Sequence, residues 1–325
     1  MARPAGPAAT RVVVALGGNA LSPSGGTGDV REIRAALATT AESLVDLVES
    51  GVSLVITHGN GPQVGRILLQ QEYAAAQVPP MPMDVCGAQS QGQIGYLLAQ
   101  TLDSAMSRRG LETRALCLVT QVVVDGRDPA FRRPTKPVGP TYDRAEARRI
   151  AHETGYVFRA MPDGRWRRAV ASPRPQRIVE AEPLRQIIDA GHVVVAAGGG
   201  GVPVVEVGTE LHGVEAVIDK DLTAARLALL VEADQLVILT EVARVQVNFG
   251  TPAARELTRL SVTEARELLA EGEFPEGSMG PKVRACVNFV SGGGRRAVIG
   301  SLAEAREVVF ADAGTVFDAG RSADG

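Results

Sequence analysis

The residues best suited to chemistry in this chain are three lysines and the glycine turns around them. Lysine is scarce and arginine common, so the setting of each lysine is informative. Lys136 stands in Pro134-Thr135-Lys136-Pro137, where two prolines restrict the backbone. Lys220 lies between Asp219 and Asp221, directly after the apolar run Ala216-Val217-Ile218. Lys282 follows Gly280-Pro281 in a turn that opens at Gly277. Any one of these could be a surface ion pair of little energetic weight. As a set they read as ammonium groups aimed at phosphate oxygens.

The glycine clusters point the same way. Gly17-Gly18-Asn19, Gly59-Asn60-Gly61 and Gly198–Gly201 each follow a short apolar run. A turn without side chains lets the backbone approach a phosphate, and successive N–H groups then point at it. Pro62 falls in the first turn of the helix expected over 64–76, whose N-terminus adds partial positive charge and free donors. A glycine pair after a strand can also be only a tight turn. Gly59 to Gly65 imitates a dinucleotide-binding loop, but its third glycine comes one place late for GxGxxG. No acidic residue ends a second strand about twenty residues on, so an oxidoreductase reading is weak. No GxxxxGK[ST] run is present.

These turns need a scaffold, and the hydrophobic pattern supplies one. Strands are expected over 11–16, 52–58, 192–197, 235–240 and 295–300. All are continuously apolar rather than alternating, as in a parallel sheet buried on both faces. Amphipathic helices are expected over 30–49, 216–232, 263–271 and 302–309, the third announced by a capping box from Ser261 to Glu264. Strands alternating with helices imply an α/β fold, a three-layer αβα sandwich around a mainly parallel sheet. One stretch breaks the rhythm: 125–183 is rich in arginine and proline and holds the single tryptophan, Trp166. It reads as a small lid subdomain protruding from the sheet, with a long surface loop as the alternative.

Composition narrows the field. With 45% hydrophobic and 22% charged residues the chain has an ordinary globular balance. A formal charge of −3 argues against an extended nucleic-acid surface. Four scattered histidines and three isolated cysteines build no zinc motif, and the cysteines fit a reducing cytoplasm. No apolar run reaches the roughly 20 residues of a membrane span. Residues 1–10 and 318–325 read as flexible tails, the first without the apolar core of a signal peptide.

At the motifs themselves the chain resembles the carbamate kinases of the amino-acid kinase superfamily. The resemblance runs from about Arg11 to Phe317. It is carried by Val12–Leu21, Thr57–Gly65, Asp84–Tyr96, Pro134–Tyr142, Gly198–Val205, Gly213–Ala224 and Gly277–Val283. Pro134–Tyr142 with Ser172–Pro175 looks like that family's protruding subdomain. The resemblance implies reversible transfer of a phosphoryl group between carbamoyl phosphate and ADP, with Mg²⁺ carried by the nucleotide rather than by direct protein ligands. It also implies a cytoplasmic homodimer built through the sheet of the N-terminal lobe. Residues 11–205 would form the substrate-binding lobe, and 206–317 the nucleotide-binding lobe. Lys136, Lys220, Lys282, Asp219 and Asp221 would be catalytic, the aspartates orienting the lysines or holding Mg²⁺ through water. Gly17, Gly18, Asn19, Gly59, Asn60, Gly61, Gly199 and Gly200 would meet the small substrate. Thr240, Glu241, Val245, Met279, Gly280 and Lys282 would meet the nucleotide. The chain departs from the family at Glu241, where aspartate is usual, and at Val245–Phe249, where a tyrosine is common. Gln89 and Ala171 replace an expected Met and Pro. Another small-acid or phosphate kinase on the same fold, or a ligand sensor derived from one, would share most of these residues.

Overall fold

The computed structural model describes residues 9–21, 26 and 28–320. Its centre is an eight-stranded sheet, with strands numbered here in chain order: β1 (Arg11–Leu16), β2 (Ser53–His58), β3 (Ala115–Cys117), β4 (Val193–Val195), β5 (Gln235–Thr240), β6 (Arg259–Ser261), β7 (Arg296–Ser301) and β8 (Thr315–Asp318). The spatial order is β6-β8-β7-β5-β1-β2-β4-β3. Every neighbouring pair is parallel except β7 with β8. Because β1 pairs with both β2 and β5, the two halves of the chain share one continuous sheet.

The apolar strands explain the layers. Successive strand residues point to opposite faces. In β1, Val12, Val14 and Leu16 enter one core, and Val13 and Ala15 enter the other. The first core is closed by α1 (Val30–Glu49), α3 (Met83–Arg108) and α9 (Ala305–Phe310); the second by α5 (Ala181–Asp189), α6 (Lys220–Leu230), α7 (Val262–Glu271) and α8 (Met279–Ser291). Helix α2 (Gly61–Ala74) leaves β2 directly, and its Val64 and Ile67 pack in a small separate core with Val138 and Val170. The capping box of α7 is present at Ser261 and Glu264.

The arginine-rich stretch divides between two sheets. Lys136–Tyr142, Trp166–Val170 and Val157–Ala160 form a three-stranded antiparallel sheet with helix α4 (Arg144–Thr154). Its flanks instead join a four-stranded sheet: Gln121–Val124 and Pro175–Ile178 pair with each other and, through Val202–Val207, reach Glu210–Gly213. The protruding unit is thus narrower than 125–183, and that second sheet had no sequence expectation. The Thr10 carbonyl already accepts a bond from the Ser53 N–H, and Asp318 closes β8, so the chain is ordered slightly beyond the expected tail boundaries. The rest of those tails, 1–8 and 321–325, lies outside the described residues.

Helix α6 starts four residues later than the apolar pattern suggests. Asp219 is its N-cap, with Oδ1 accepting from the backbone N–H groups of Asp221 and Leu222. Ala216 is instead bridged to Ala171. The consequence is functional, because the cap places Lys220 in the first turn.

Candidate active site

A cleft of about 1050 Å³ opens at the carboxyl ends of β1, β2 and β5. Three helix N-termini border it: α2 through Gly61 and Pro62, α6 through Asp219 and Lys220, and α8 through Ser278 and Lys282. Each brings the partial positive charge of a helix start to the same space, although at α6 the N–H groups of Asp221 and Leu222 are already capped by Asp219. The turn after β1 is held shut by the Gly17 N–H donating to Leu239 of β5 at 3.0 Å. The Lys220 side chain runs across Gly59, where a Cβ would meet its Cδ and Cε at 3.6 and 3.7 Å.

At the centre one carboxylate holds two ammonium groups. Asp221, only 4% exposed, accepts from Lys220 Nζ at 2.5 Å and from Lys282 Nζ at 2.9 Å. Burial by itself would raise this carboxyl. The two lysines outweigh it and bring the group down to about 2. Burial pushes the Lys220 ammonium below the usual lysine range, Asp221 opposes that shift, and Lys282 adds to it. Asp221 therefore does two things: it stays ionised, and it offsets the mutual repulsion of the lysines. Lys136 reaches in from the three-stranded sheet and meets Asp219 Oδ2 at 3.1 Å, linking that sheet to the cap of α6.

The third glycine cluster makes room for side chains next to it. A Cβ on Gly198 would collide with the His58 ring, and one on Gly199 with the Asn60 amide. These glycines are seats for the side chains of the second cluster. Buried threonines fix the loop: Thr57 donates to the Ala197 carbonyl at 2.9 Å, Thr120 accepts from the Ala197 N–H at 3.0 Å, and Thr223 donates to the Gly200 carbonyl at 3.0 Å. His58 donates Nδ1–H to the Gly59 carbonyl at 2.9 Å. Burial lowers its imidazole to about 4, so it is neutral near pH 7.

Most of the expected site residues meet here. Gly17, Gly18, Gly59, Asn60, Gly61, Gly199, Lys136, Asp219, Lys220, Asp221, Thr240, Glu241 and Lys282 all line the cleft. Asn19 lies in the short turn Gly18–Ala20 beside it. Four do not line it. Gly200 is buried under the Ile218 carbonyl. Val245 is a core residue in the strand Val245–Val247. Met279 packs against the same core, and Gly280 is buried against the Phe274 and Pro275 carbonyls. Met279 and Gly280 shape the first turn of α8 rather than facing the cleft. Sequence reading missed Arg167, which lines the cleft with its Nε donating to the Gly139 carbonyl at 2.7 Å. Nothing in an arginine-rich run singled it out. It also missed Ser90, a buried residue of α3 that holds Asn60.

No group of three or more His, Cys, Asp or Glu among the described residues could hold a metal ion. Both oxygens of Asp221 are taken by lysines, so the donor set is no resident cation cage. Burial raises the thiols of Cys86, Cys117 and Cys286, leaving none poised as a nucleophile.

The fold and site together define a phosphate-handling enzyme of one large group. The model of the amino acid kinase family matches residues 10–301, and the chain belongs to that family. Within it the chain groups with the carbamate kinases. It is 46% identical to the carbamate kinase of Pyrococcus horikoshii, over 94% of this chain and 98% of that protein. It is 48% identical to that of Halobacterium salinarum, over 93% and 96%. The structure of carbamate kinase from Giardia lamblia bound to AMP-PNP superposes with a TM-score of 0.91, at 39% identity, over 96% of this chain and 99% of that one.

Proposed function

We propose that this chain is a carbamate kinase, transferring a phosphoryl group reversibly between carbamoyl phosphate and ADP to give ATP and carbamate. The observation that carries the reading is the Lys220–Asp221–Lys282 cluster, set between three helix N-termini and faced by Lys136 from the protruding sheet.

The chemistry asks little covalent help of the protein. The bond from phosphorus to the carbamoyl oxygen breaks, and one forms to a terminal oxygen of ADP. Carbamate leaves as an anion and no proton moves, which accounts for a cleft built around cations rather than a nucleophile and base. The transition state is loose and spreads charge over the transferring phosphoryl oxygens. Lys220 and Lys282 neutralise that charge at short range, and Lys136 grips the carbamoyl phosphate. N–H groups of Gly17–Asn19 and Gly59–Gly61 orient that substrate. Thr240 and Glu241 lie toward the nucleotide, which enters as its Mg²⁺ complex. The cation supplies further charge neutralisation on the phosphates. Asp219 and Asp221 hold the lysines in place.

The same reading divides the chain into a substrate lobe before about residue 205 and a nucleotide lobe after it. It places the protein in the cytoplasm as a homodimer. The β3 edge, with exposed Leu116 and nearby Val119, supports a subunit contact through the N-terminal half of the sheet. No helix among the described residues is long and apolar enough to cross a membrane. The deciding assay mixes purified protein with carbamoyl phosphate and MgADP and couples ATP formation to an absorbance change. ATP formation is expected. Its absence, with turnover of a different acid and ATP, would move the assignment to another substrate on this fold.

A further inference from the structure

The cleft is rich in donors: backbone N–H groups, helix N-termini and three ammonium groups. Such a site binds the phosphoryl and carboxyl oxygens of an acyl phosphate but cannot by itself tell one acyl group from another. The carbamoyl group differs from an acetyl group of nearly the same shape by one feature, an amino group that donates hydrogen bonds. Recognising it requires an acceptor.

The carboxylates at the centre are engaged. Asp221 is bound by two lysines, and Asp219 by Lys136 and by backbone N–H groups. Asn60 is different. It lines the cleft, and its Nδ2 donates to Ser90 Oγ at 2.7 Å. The Ser90 hydroxyl is already committed, donating its proton to the Gly87 carbonyl at 2.6 Å. Ser90 therefore meets Asn60 as an acceptor, and the amide has one orientation that suits it. Its NH₂ faces Ser90, and Oδ1 has no hydrogen-bond donor among the described residues. Gly199 packs against the amide, where a Cβ would collide with its Nδ2, Cγ and Oδ1, so the hydrogen bond to Ser90 is what sets which way the amide faces. Ser90 is fully buried, so water does not compete for its oxygen. Asn60 thus gives one of its two amide N–H groups to Ser90 inside the protein, and its Oδ1 is the acceptor left for a ligand.

We infer that Asn60 Oδ1, oriented by Ser90, accepts a hydrogen bond from the amino group of the carbamoyl substrate and is the specificity-determining contact for it. Ser90 is a positioning residue that touches no substrate. This rests on the carbamoyl phosphate reading above and adds the selectivity of that same site. A site built to hydrogen-bond a donor rejects the analogue lacking it, because a desolvated acceptor is then left unpaired.

The test compares carbamoyl phosphate with acetyl phosphate as phosphoryl donors to MgADP, as a ratio of kcat/KM values, in the wild type, Ser90→Ala and Ser90→Thr. Loss of the Ser90 oxygen frees the amide to turn its NH₂ toward the cleft. The ratio should fall by roughly tenfold or more in Ser90→Ala, with the KM for ADP unchanged, and return in Ser90→Thr, which keeps the hydroxyl. A general loss of stability or rate lowers both donors alike and leaves the ratio unmoved. An unchanged ratio in Ser90→Ala, alongside good wild-type turnover of carbamoyl phosphate, overturns this inference alone. A wild-type protein that turns over neither donor overturns the functional reading and this inference with it.

Discussion

Lys136, Lys220 and Lys282 are the only lysines among 34 basic residues, and all three line one cleft. Elsewhere arginine suffices, since a solvated face needs only charge. A transferring phosphoryl group is better met by a compact ammonium that rotates its three donors. Lys220→Ala or Lys282→Ala should lower kcat by about 10²–10³, or roughly 3–4 kcal/mol, with far-UV circular dichroism unchanged. In each variant Asp221 keeps the other lysine. A normal rate would remove that lysine from the mechanism. His58 makes a separate prediction about pH. Its imidazole falls from 6.5 to about 4 on folding. Between those values the unfolded chain takes up a proton that the folded chain refuses, so stability drops as pH falls, by up to roughly 3 kcal/mol. Above pH 6.5 the contribution is constant. Asp221, lowered from 3.8 to about 2, acts only below that window. Urea midpoints at pH 7 and pH 4.5 should therefore converge in His58→Asn relative to the wild type. An equal loss in both proteins would mean that other groups set the acid sensitivity.

At the scale of elements, the site depends on loops that fit one another and on a sheet that reaches across. Gly200 has φ +95° and no space for a side chain, because a Cβ would run into the Ile218 carbonyl, one residue before Asp219. Strain and collision together should make Gly200→Ala cost on the order of 3 kcal/mol, measured by urea unfolding. A stable Gly200→Ala would show that this loop gives way easily. The three-stranded sheet 136–170 packs Val138 and Val170 on α2 and pairs Arg168 with Glu215, and it carries Lys136 to Asp219 by an ion pair whose lysine is 40% exposed. Such a contact is weak enough to open. Binding of carbamoyl phosphate with MgADP should slow proteolysis within 125–183 by closing that sheet on the cleft. Cleavage at an unaltered rate would argue for a fixed wall instead.

For the whole molecule, the sheet runs unbroken from β6 to β3, and β3 ends it with Leu116 partly exposed. A homodimer joined near this edge would cover Leu116 and Val119. Leu116→Arg should then halve the mass measured by light scattering, while the wild type elutes as a dimer. A monomeric wild type would remove the assembly from the proposal.

The sequence by itself determined the layered α/β architecture, since continuously apolar strands demand cover on both faces. β1 and β5 fall where the pattern places them, as does α1. It also determined the charged centre, because scarce lysines flanked by aspartates and glycines stand out one residue at a time. It left open which partner each group would find. Val245 looked like a nucleotide contact and is core, because burial depends on which strand lies above it. Gly198 and Gly199 looked like a phosphate cradle; Gly199 does line the cleft, and both also make room for His58 and Asn60, contacts made across about 140 residues of chain. The start of α6 was set by the Asp219 cap rather than by apolar periodicity. Asn60 was readable as a polar residue of the right loop, but whether it offers a donor or an acceptor was decided by Ser90, packed against it from another helix. Local pattern governs secondary structure and charge, whereas the direction of a hydrogen bond is set by neighbours that only the folded chain brings together.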